Sequence, residues 1–196
     1  MNPALIIFIK NPKKGKVKTR LAKTLGENQA LLIYKALLQH TRNIALQINA
    51  TCYLFYGQFI DNEDDWSEKN FQKRLQTGAD LGARMQRAFH EVLQKHDKAI
   101  IIGSDCATLT PDMVNDAFSK LEKHSFVIGP AEDGGYYLLG MQNYTPSVFE
   151  NMEWSTESVF KETIQKIENL NKEYYLLPTL SDIDNEEDWE KHGWKI

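Results

Sequence analysis

Residues 5–9 read Leu5-Ile6-Ile7-Phe8-Ile9, without one polar side chain, and residues 10–23, KNPKKGKVKTRLAK, carry seven Lys or Arg and no acid. An unbroken apolar run of this length suits a strand covered on both faces, since neither face meets water. The abrupt change to charge, proline and glycine marks the loop that leaves its carboxyl end. The pattern recurs at Thr51 to Tyr56 (TCYLFY), Lys98 to Ile102 (KAIII), Phe126 to Gly129, Tyr136 to Met141 (YYLLGM) and Glu173 to Leu177. These segments are rich in β-branched and aromatic residues, which fill a pleated surface well.

Between them, apolar residues fall at helical spacing. Leu31, Tyr34, Leu38, Thr41, Ile44 and Ile48 predict a helix from about Glu27 to Gln47, and Leu81, Met85, Ala88 and Val92 predict another from about Asp80 to Lys95. Thr110-Pro111-Asp112 is a helix start with a capping hydroxyl, a proline at the first position and an acid in the first turn. Val159, Phe160, Ile164 and Ile167 mark the last long helix. Strands alternating with helices give an α/β, Rossmann-like three-layer sandwich with a mostly parallel mixed sheet. Residues 57 to 70 are polar and acidic, an expected surface excursion. No internal repeat and no Pro/Gly/Ser-rich linker breaks the pattern, so residues 1–196 are expected to form one domain.

Composition excludes several classes. The chain has 196 residues, 42% hydrophobic and 26% charged, ordinary values for a globular domain. No apolar run approaches the ~20 residues of a membrane span, and the N-terminal run lacks the basic flank and cleavage site of a signal peptide. Two cysteines, Cys52 and Cys106, make no disulfide framework, and a reducing cytoplasm is the expected location. The net charge of -4 argues against nucleic acid as a partner. The charge is uneven, however: against the basic stretch at 10–23 stand six acids in residues 182–190, DIDNEEDWE. Both runs are compatible with solvated surface, but a short basic loop also suits a compact polyanion such as a diphosphate.

In open α/β sheets, ligands bind beyond the carboxyl ends of the strands. Three loops meet there: the basic loop after the first strand, Gly103-Ser104-Asp105-Cys106, and Gly129-Pro130-Ala131-Glu132-Asp133-Gly134-Gly135. Cations, carboxylates and glycines converging on one edge suggest phosphate-and-metal chemistry. The basic loop is not a P-loop, since it has one glycine, Gly15, where two at fixed spacing are needed. G-x-G-x-x-G and G-x-S-x-G are absent, and the five histidines show no ligand spacing for zinc. Asp105 follows an apolar strand and a glycine, so its carboxylate is available to a hard cation or to the cap of the next turn. Asp133 is read equally as a site acid or as part of a hairpin turn, and Asp80 with Gly82 as ligands or as an N-cap and a packing glycine. Cys106 reads as a packed thiol.

The motifs Lys18-Thr19-Arg20-Leu21, Gly78-Ala79-Asp80-Leu81-Gly82-Ala83-Arg84-Met85, Ile102-Gly103-Ser104-Asp105-Cys106, Gly129 to Tyr137, Trp154-Ser155-Thr156 and Asp182-Ile183-Asp184 occur in this order. Together they resemble the DUF2064 family of GT-A-fold nucleotide-diphospho-sugar transferases, which includes arsenosugar-biosynthesis-type glycosyltransferases. More distantly the chain is similar to phospholactate and molybdenum-cofactor guanylyltransferases. It departs from the family at Ala107, where a proline usually follows Asp-Cys.

The resemblance implies a GT-A-like domain with an N-terminal nucleotide half and transfer assisted by Mg²⁺ or Mn²⁺. Lys18 and Arg20 would contact the nucleotide phosphates, with Asp80 and Gly82 in the same half. Asp105 would hold the metal, and Asp184 would be a second ligand or the N-cap of a last helix through Trp189. Breaking a bond to a phosphate oxygen builds charge on the leaving group, which a divalent cation, Lys and Arg stabilise. Ser155 or Thr156, expected to open the last long helix, would offer N–H groups to an acceptor. Gly134 and Gly135 would leave room for that acceptor beside Asp133, the candidate general base. The partners expected are a nucleotide-sugar or nucleoside triphosphate and a small-molecule acceptor, with no membrane. Glycosyl transfer is the first reading and nucleotidyl transfer, releasing pyrophosphate, the second. A binding module without catalysis is a third, disfavoured by Lys18, Arg20, Asp105 and Asp133 occurring together.

Overall fold

The computed structural model describes residues 3–196 and has the expected α/β architecture. Its strands are β1 (Ala4–Ile9), β2 (Thr51–Tyr56), β3 (Phe71–Leu75), β4 (Ala99–Ile102), β5 (Phe126–Pro130), β6 (Tyr136–Met141) and β7 (Tyr174–Leu176). They form one sheet in the order β3-β2-β1-β4-β6-β5-β7, in which β6 runs antiparallel to both neighbours and the other pairs are parallel. The strand β1 is internal, with Ile6 opposite Tyr53 on one side and Ile101 on the other. The chain leaves β1 toward β2 and later returns to β4 on β1's other flank. Strand order reverses there, which opens a crevice at the carboxyl ends of β1 and β4.

The helices are α1 (Thr19–Ala45), α2 (Leu81–Leu93), α3 (Pro111–Lys120), α4 (Val159–Asn169) and α5 (Glu186–His192). Side chains alternate across each strand and so build two cores. Leu5, Ile7, Leu54 and Tyr56 pack with Tyr34 and Leu38 of α1 and Val114 and Ala117 of α3. Ile6, Tyr53, Phe55 and Ile101 pack with Met85 and Phe89 of α2 and Ile164 and Ile167 of α4. Each fully buried Leu, Ile or Phe contributes ~1.5–3 kcal/mol by area. A third cluster joins Leu21, Ile33 and Leu37 of α1 to Ala107, Ile183 and the partly buried Trp189 of α5. That cluster ties the acidic C-terminal segment to the basic loop. Among the described residues no helix is long and apolar enough to cross a membrane.

Several elements differ from expectation. Gly26 (φ 80°, ψ 158°) breaks α1, and residues 27–45 are the helix that the periodicity predicts. The earlier turn, 19–25, lies in the basic stretch, where lysines mask the apolar pair Leu21 and Leu25. The strand β3 was not expected, because FQKRL is polar through its middle. Its Lys73 is nonetheless buried, ion-paired with Asp64 at 2.8 Å, and Tyr56 Oη donates to the same carboxylate at 2.6 Å. This internal network tethers the 57–70 excursion. Finally, α5 is capped by Asn185, whose side chain accepts from Asp188 N while Asp188 accepts from Asn185 N. Asp184 is therefore not the cap.

Candidate active site

A cleft of about 860 Å³ opens at the carboxyl ends of β1 and β4. Small-molecule sites commonly measure ~300–1,000 Å³. Lys10, Lys16, Lys18 and Arg20 line it together with Asp105, Asp182 and Asp184. Asp133, Gly135, Tyr136, Trp154, Ser155 and Thr156, from the β5–β6 turn, the start of β6 and the segment before α4, line it too. The fold thus gathers eight of the candidate residues: Lys18, Arg20, Asp105, Asp133, Gly135, Ser155, Thr156 and Asp184. Asp80, Gly82 and Gly134 do not line the cleft.

The basic loop is held at both ends. Buried Asn11 accepts from Gln58 N and Phe59 N and donates to Phe59 O at 2.9 Å. Tyr34 Oη accepts from Lys10 N and donates to Lys10 O, both at 2.9 Å. Burial, with the Asp105 charge second, pushes the Tyr34 phenol well above its ordinary range, so it acts here as a hydrogen-bonding post. At the far end Lys18 is the N-cap of α1 and holds left-handed dihedrals, φ 48° and ψ 47°. Such a conformation at a non-glycine residue costs ~1–3 kcal/mol and clusters at functional sites. It turns the side chain inward: Lys18 Nζ lies 2.7 Å from Asp105 Oδ1 and donates to Ile183 O at 2.6 Å. The Lys18 side chain is only 5% exposed, so the expected surface lysine is instead an internal staple. Arg20 remains outward, 75% exposed, with Nη1 3.2 Å from Asp184 Oδ2.

The residue that sequence reasoning missed is Asp182. Its backbone pairs with Cys106 in an isolated antiparallel bridge, and Ile183 N donates to Asp105 O at 2.9 Å. Asp182 is therefore laid directly beside the loop after β4. Burial, reinforced by the Asp105 and Asp133 charges and opposed by Lys18, raises the Asp182 carboxyl from 3.8 to about 7. A signal was present. In Asp182-Ile183-Asp184 the middle residue is fully buried, and in extended chain the two flanking acids share the opposite side. Cys106 itself is buried, and burial with the Asp182 charge lifts its thiol to about 11, the packed and unreactive role expected.

Asp133 Oδ1 accepts from Gly135 N at 2.9 Å, fixing the turn between β5 and β6 while the residue stays exposed. Gly134 needs its freedom: at φ 86°, a Cβ would lie 2.2 Å from Glu157 O. Asp80 caps α2, accepting from Ala83 N at 2.8 Å, and a Cβ at Gly82 would lie 2.1 Å from the Trp154 indole. Both have the local structural roles weighed above, and Gly82 bears on the cleft by seating Trp154. The expectation that Ser155 or Thr156 opens the last helix is corrected, since α4 starts at Val159 with Ser158 as N-cap. Ser155 instead takes a left-handed turn (φ 65°), and Thr156 Oγ1 donates to Glu153 O at 3.0 Å.

The cleft carboxylates are hard oxygen donors, the kind that a divalent cation takes. Asp105, Asp182 and Asp184 line the same cleft, and burial, with the Asp105 and Asp133 charges after it, raises the Asp182 carboxyl. Among the described residues no three His, Cys, Asp or Glu side chains are gathered into a ready cage. Mg²⁺ sites shared with substrate phosphates need only one or two carboxylates.

An open, mostly parallel sheet with one reversed strand and a charged cleft at its switch point defines the GT-A-like, Rossmann-like class of nucleotide-sugar and nucleotidyl transferase folds. The chain superposes with a TM-score of 0.87 on a protein from Desulfovibrio desulfuricans G20 provisionally named a nucleotide-diphospho-sugar transferase, at 28% identity over 93% of this chain and 82% of that one. It matches the inositol-1-phosphate CTP transferase of T. maritima with a TM-score of 0.61, 14% identity and coverages of 96% and 91%. Rv0371c of Mycobacterium tuberculosis H37Rv, solved with manganese, gives 0.61 at 10% identity over the whole of both chains. No curated protein matches. The family model described as uncharacterized protein conserved in bacteria (DUF2064) covers residues 40–156, and the chain belongs to that family.

Proposed function

We propose that the chain is a divalent-cation-dependent transferase that moves a sugar from a nucleotide-diphospho-sugar to a small acceptor. The observation that carries this reading is the cleft itself, where Lys10, Lys16, Lys18 and Arg20 face Asp105, Asp133, Asp182 and Asp184. Four cations on one loop and its helix suit a diphosphate, and Arg20, exposed at the mouth, is the group best able to reach it. Asp105 and Asp182, with Asp184 beside them, would hold Mg²⁺ or Mn²⁺, which when bound neutralises charge on the leaving diphosphate. Asp133, fixed through one oxygen, keeps the other for the acceptor hydroxyl and takes its proton as the new bond forms. Gly135, Ser155 and Thr156 border the acceptor's side of the cleft. Tyr136 and Trp154 give that side an apolar wall, which sheds water from the reacting centre.

Nucleotidyl transfer is the second reading, favoured by the match over nearly the full length of the T. maritima CTP transferase. The products separate the two. Incubation with a panel of nucleotide-diphospho-sugars and nucleoside triphosphates, with Mg²⁺ or Mn²⁺, should release nucleoside diphosphate from a sugar donor in the presence of an acceptor. Pyrophosphate released from a triphosphate would instead establish the second reading. Failure of every donor to raise the melting temperature would overturn both, since a ligand at 100 times its Kd adds ~2.7 kcal/mol.

A further inference from the structure

We propose that Lys18 is a built-in counterion that occupies the Asp105 carboxylate until a divalent cation displaces it, releasing the ammonium toward the substrate diphosphate. The inference rests on the metal-dependent reading above and adds an exchange of cations at one oxygen. Lys18 Nζ sits 2.7 Å from Asp105 Oδ1, held by a second bond of 2.6 Å to Ile183 O. A cation ligated by the same oxygen would stand within a few ångströms of the ammonium, where like charges repel strongly in a partly buried site. One of the two has to leave.

The chain is built for that departure. Lys18 is the single residue joining the loop to α1, and its left-handed backbone (φ 48°) is what folds the side chain inward. Its four-carbon stem lines the cleft together with Lys16 and Arg20. Letting go of Asp105 therefore moves the ammonium from the carboxylates to the cationic side without unfolding either element. Without a counterion, Asp105, Asp182 and Asp184 would repel one another, which explains why a lysine with a side chain only 5% exposed is stored there. By linkage, metal and the Lys18–Asp105 contact must weaken each other by the same factor.

Two measurements test this with Mn²⁺ alone as the probe. In the first, the wild-type chain is acetylated with an N-hydroxysuccinimide ester and each lysine is followed by mass spectrometry. Lys18 should label at least fivefold faster with saturating Mn²⁺, while exposed Lys14 labels at an unchanged rate. In the second, Mn²⁺ is titrated by electron paramagnetic resonance, and Lys18→Met should bind at least tenfold more tightly than wild type without nucleotide. If Lys18→Met fails to fold, the labelling of the wild type decides alone. Bound Mn²⁺ with Lys18 labelling no faster, or a folded Lys18→Met that binds no more tightly, overturns the exchange and leaves the proposed function standing. Absence of Mn²⁺ binding to either protein, with or without nucleotide, overturns both.

Discussion

Replacing Asp182 by asparagine should stabilise the metal-free protein, and by an amount that depends on pH. Burial and the charges of Asp105 and Asp133 raise the Asp182 carboxyl from 3.8 to about 7, against the pull of Lys18. A raised acid binds its proton more tightly in the folded than in the unfolded chain. Its favourable contribution is thus complete below the unfolded value near 3.8 and is lost as pH rises through about 7. A shift of roughly three units at ~1.36 kcal/mol each makes ionised Asp182 cost the fold on the order of 4 kcal/mol above pH 7. The asparagine amide keeps the shape and never ionises. For a chain of this size ~1 kcal/mol moves the melting temperature by ~2–4 °C. The Asp182→Asn variant should therefore melt close to wild type at pH 4 and on the order of 10 °C higher at pH 8. Thermal unfolding followed by circular dichroism in EDTA, from pH 4 to 8, measures the difference. A gap that stays constant across that range, or a variant less stable at pH 8, would show that Asp182 is not held in a crowded anionic site.

Arg20→Ala should leave the melting temperature within about 1 °C of wild type, because the side chain is 75% exposed. It should weaken nucleotide-diphosphate binding by ~1.5–3 kcal/mol, the usual loss of a charge-assisted contact, as read by calorimetry; unchanged affinity would return Arg20 to the solvated surface. Asp133→Asn should lower turnover by ~10²-fold with nucleotide affinity retained, since the amide still accepts from Gly135 N but takes no proton from the acceptor. Loss of metal binding in that variant would assign Asp133 to the cation instead. Gly134→Ala, forced against Glu157 O at 2.2 Å with φ 86°, should cost at least ~2 kcal/mol, visible as a lower melting temperature.

The sheet was legible because its strands are dictated by one dominant effect. Runs such as Leu5 to Ile9 and Ala99 to Ile102 can be satisfied only by burial on both faces, and β1 and β4 follow from them. Legibility fails where charge itself is internal. Lys73 and Lys18 look like surface lysines in sequence, yet each is buried against an aspartate that is distant along the chain, Asp64 and Asp105. No local pattern announces such a pair, because the partner's proximity is a product of the fold. Asp105 was readable, since a strand end aims it, whereas Asp182 depends on the C-terminal segment crossing back to pair with Cys106. That crossing is driven by Ile183 and Trp189 packing with Leu21, Ile33 and Leu37 in an apolar cluster separate from the two sheet cores. The same packing draws the acidic segment over the basic loop and places Ile183 O within reach of Lys18 Nζ. A weakened Ile183 contact, as in Ile183→Ala, should accordingly loosen both Lys18 and Asp182 together, read as faster acetylation of Lys18 in the metal-free protein, without touching a single charged group.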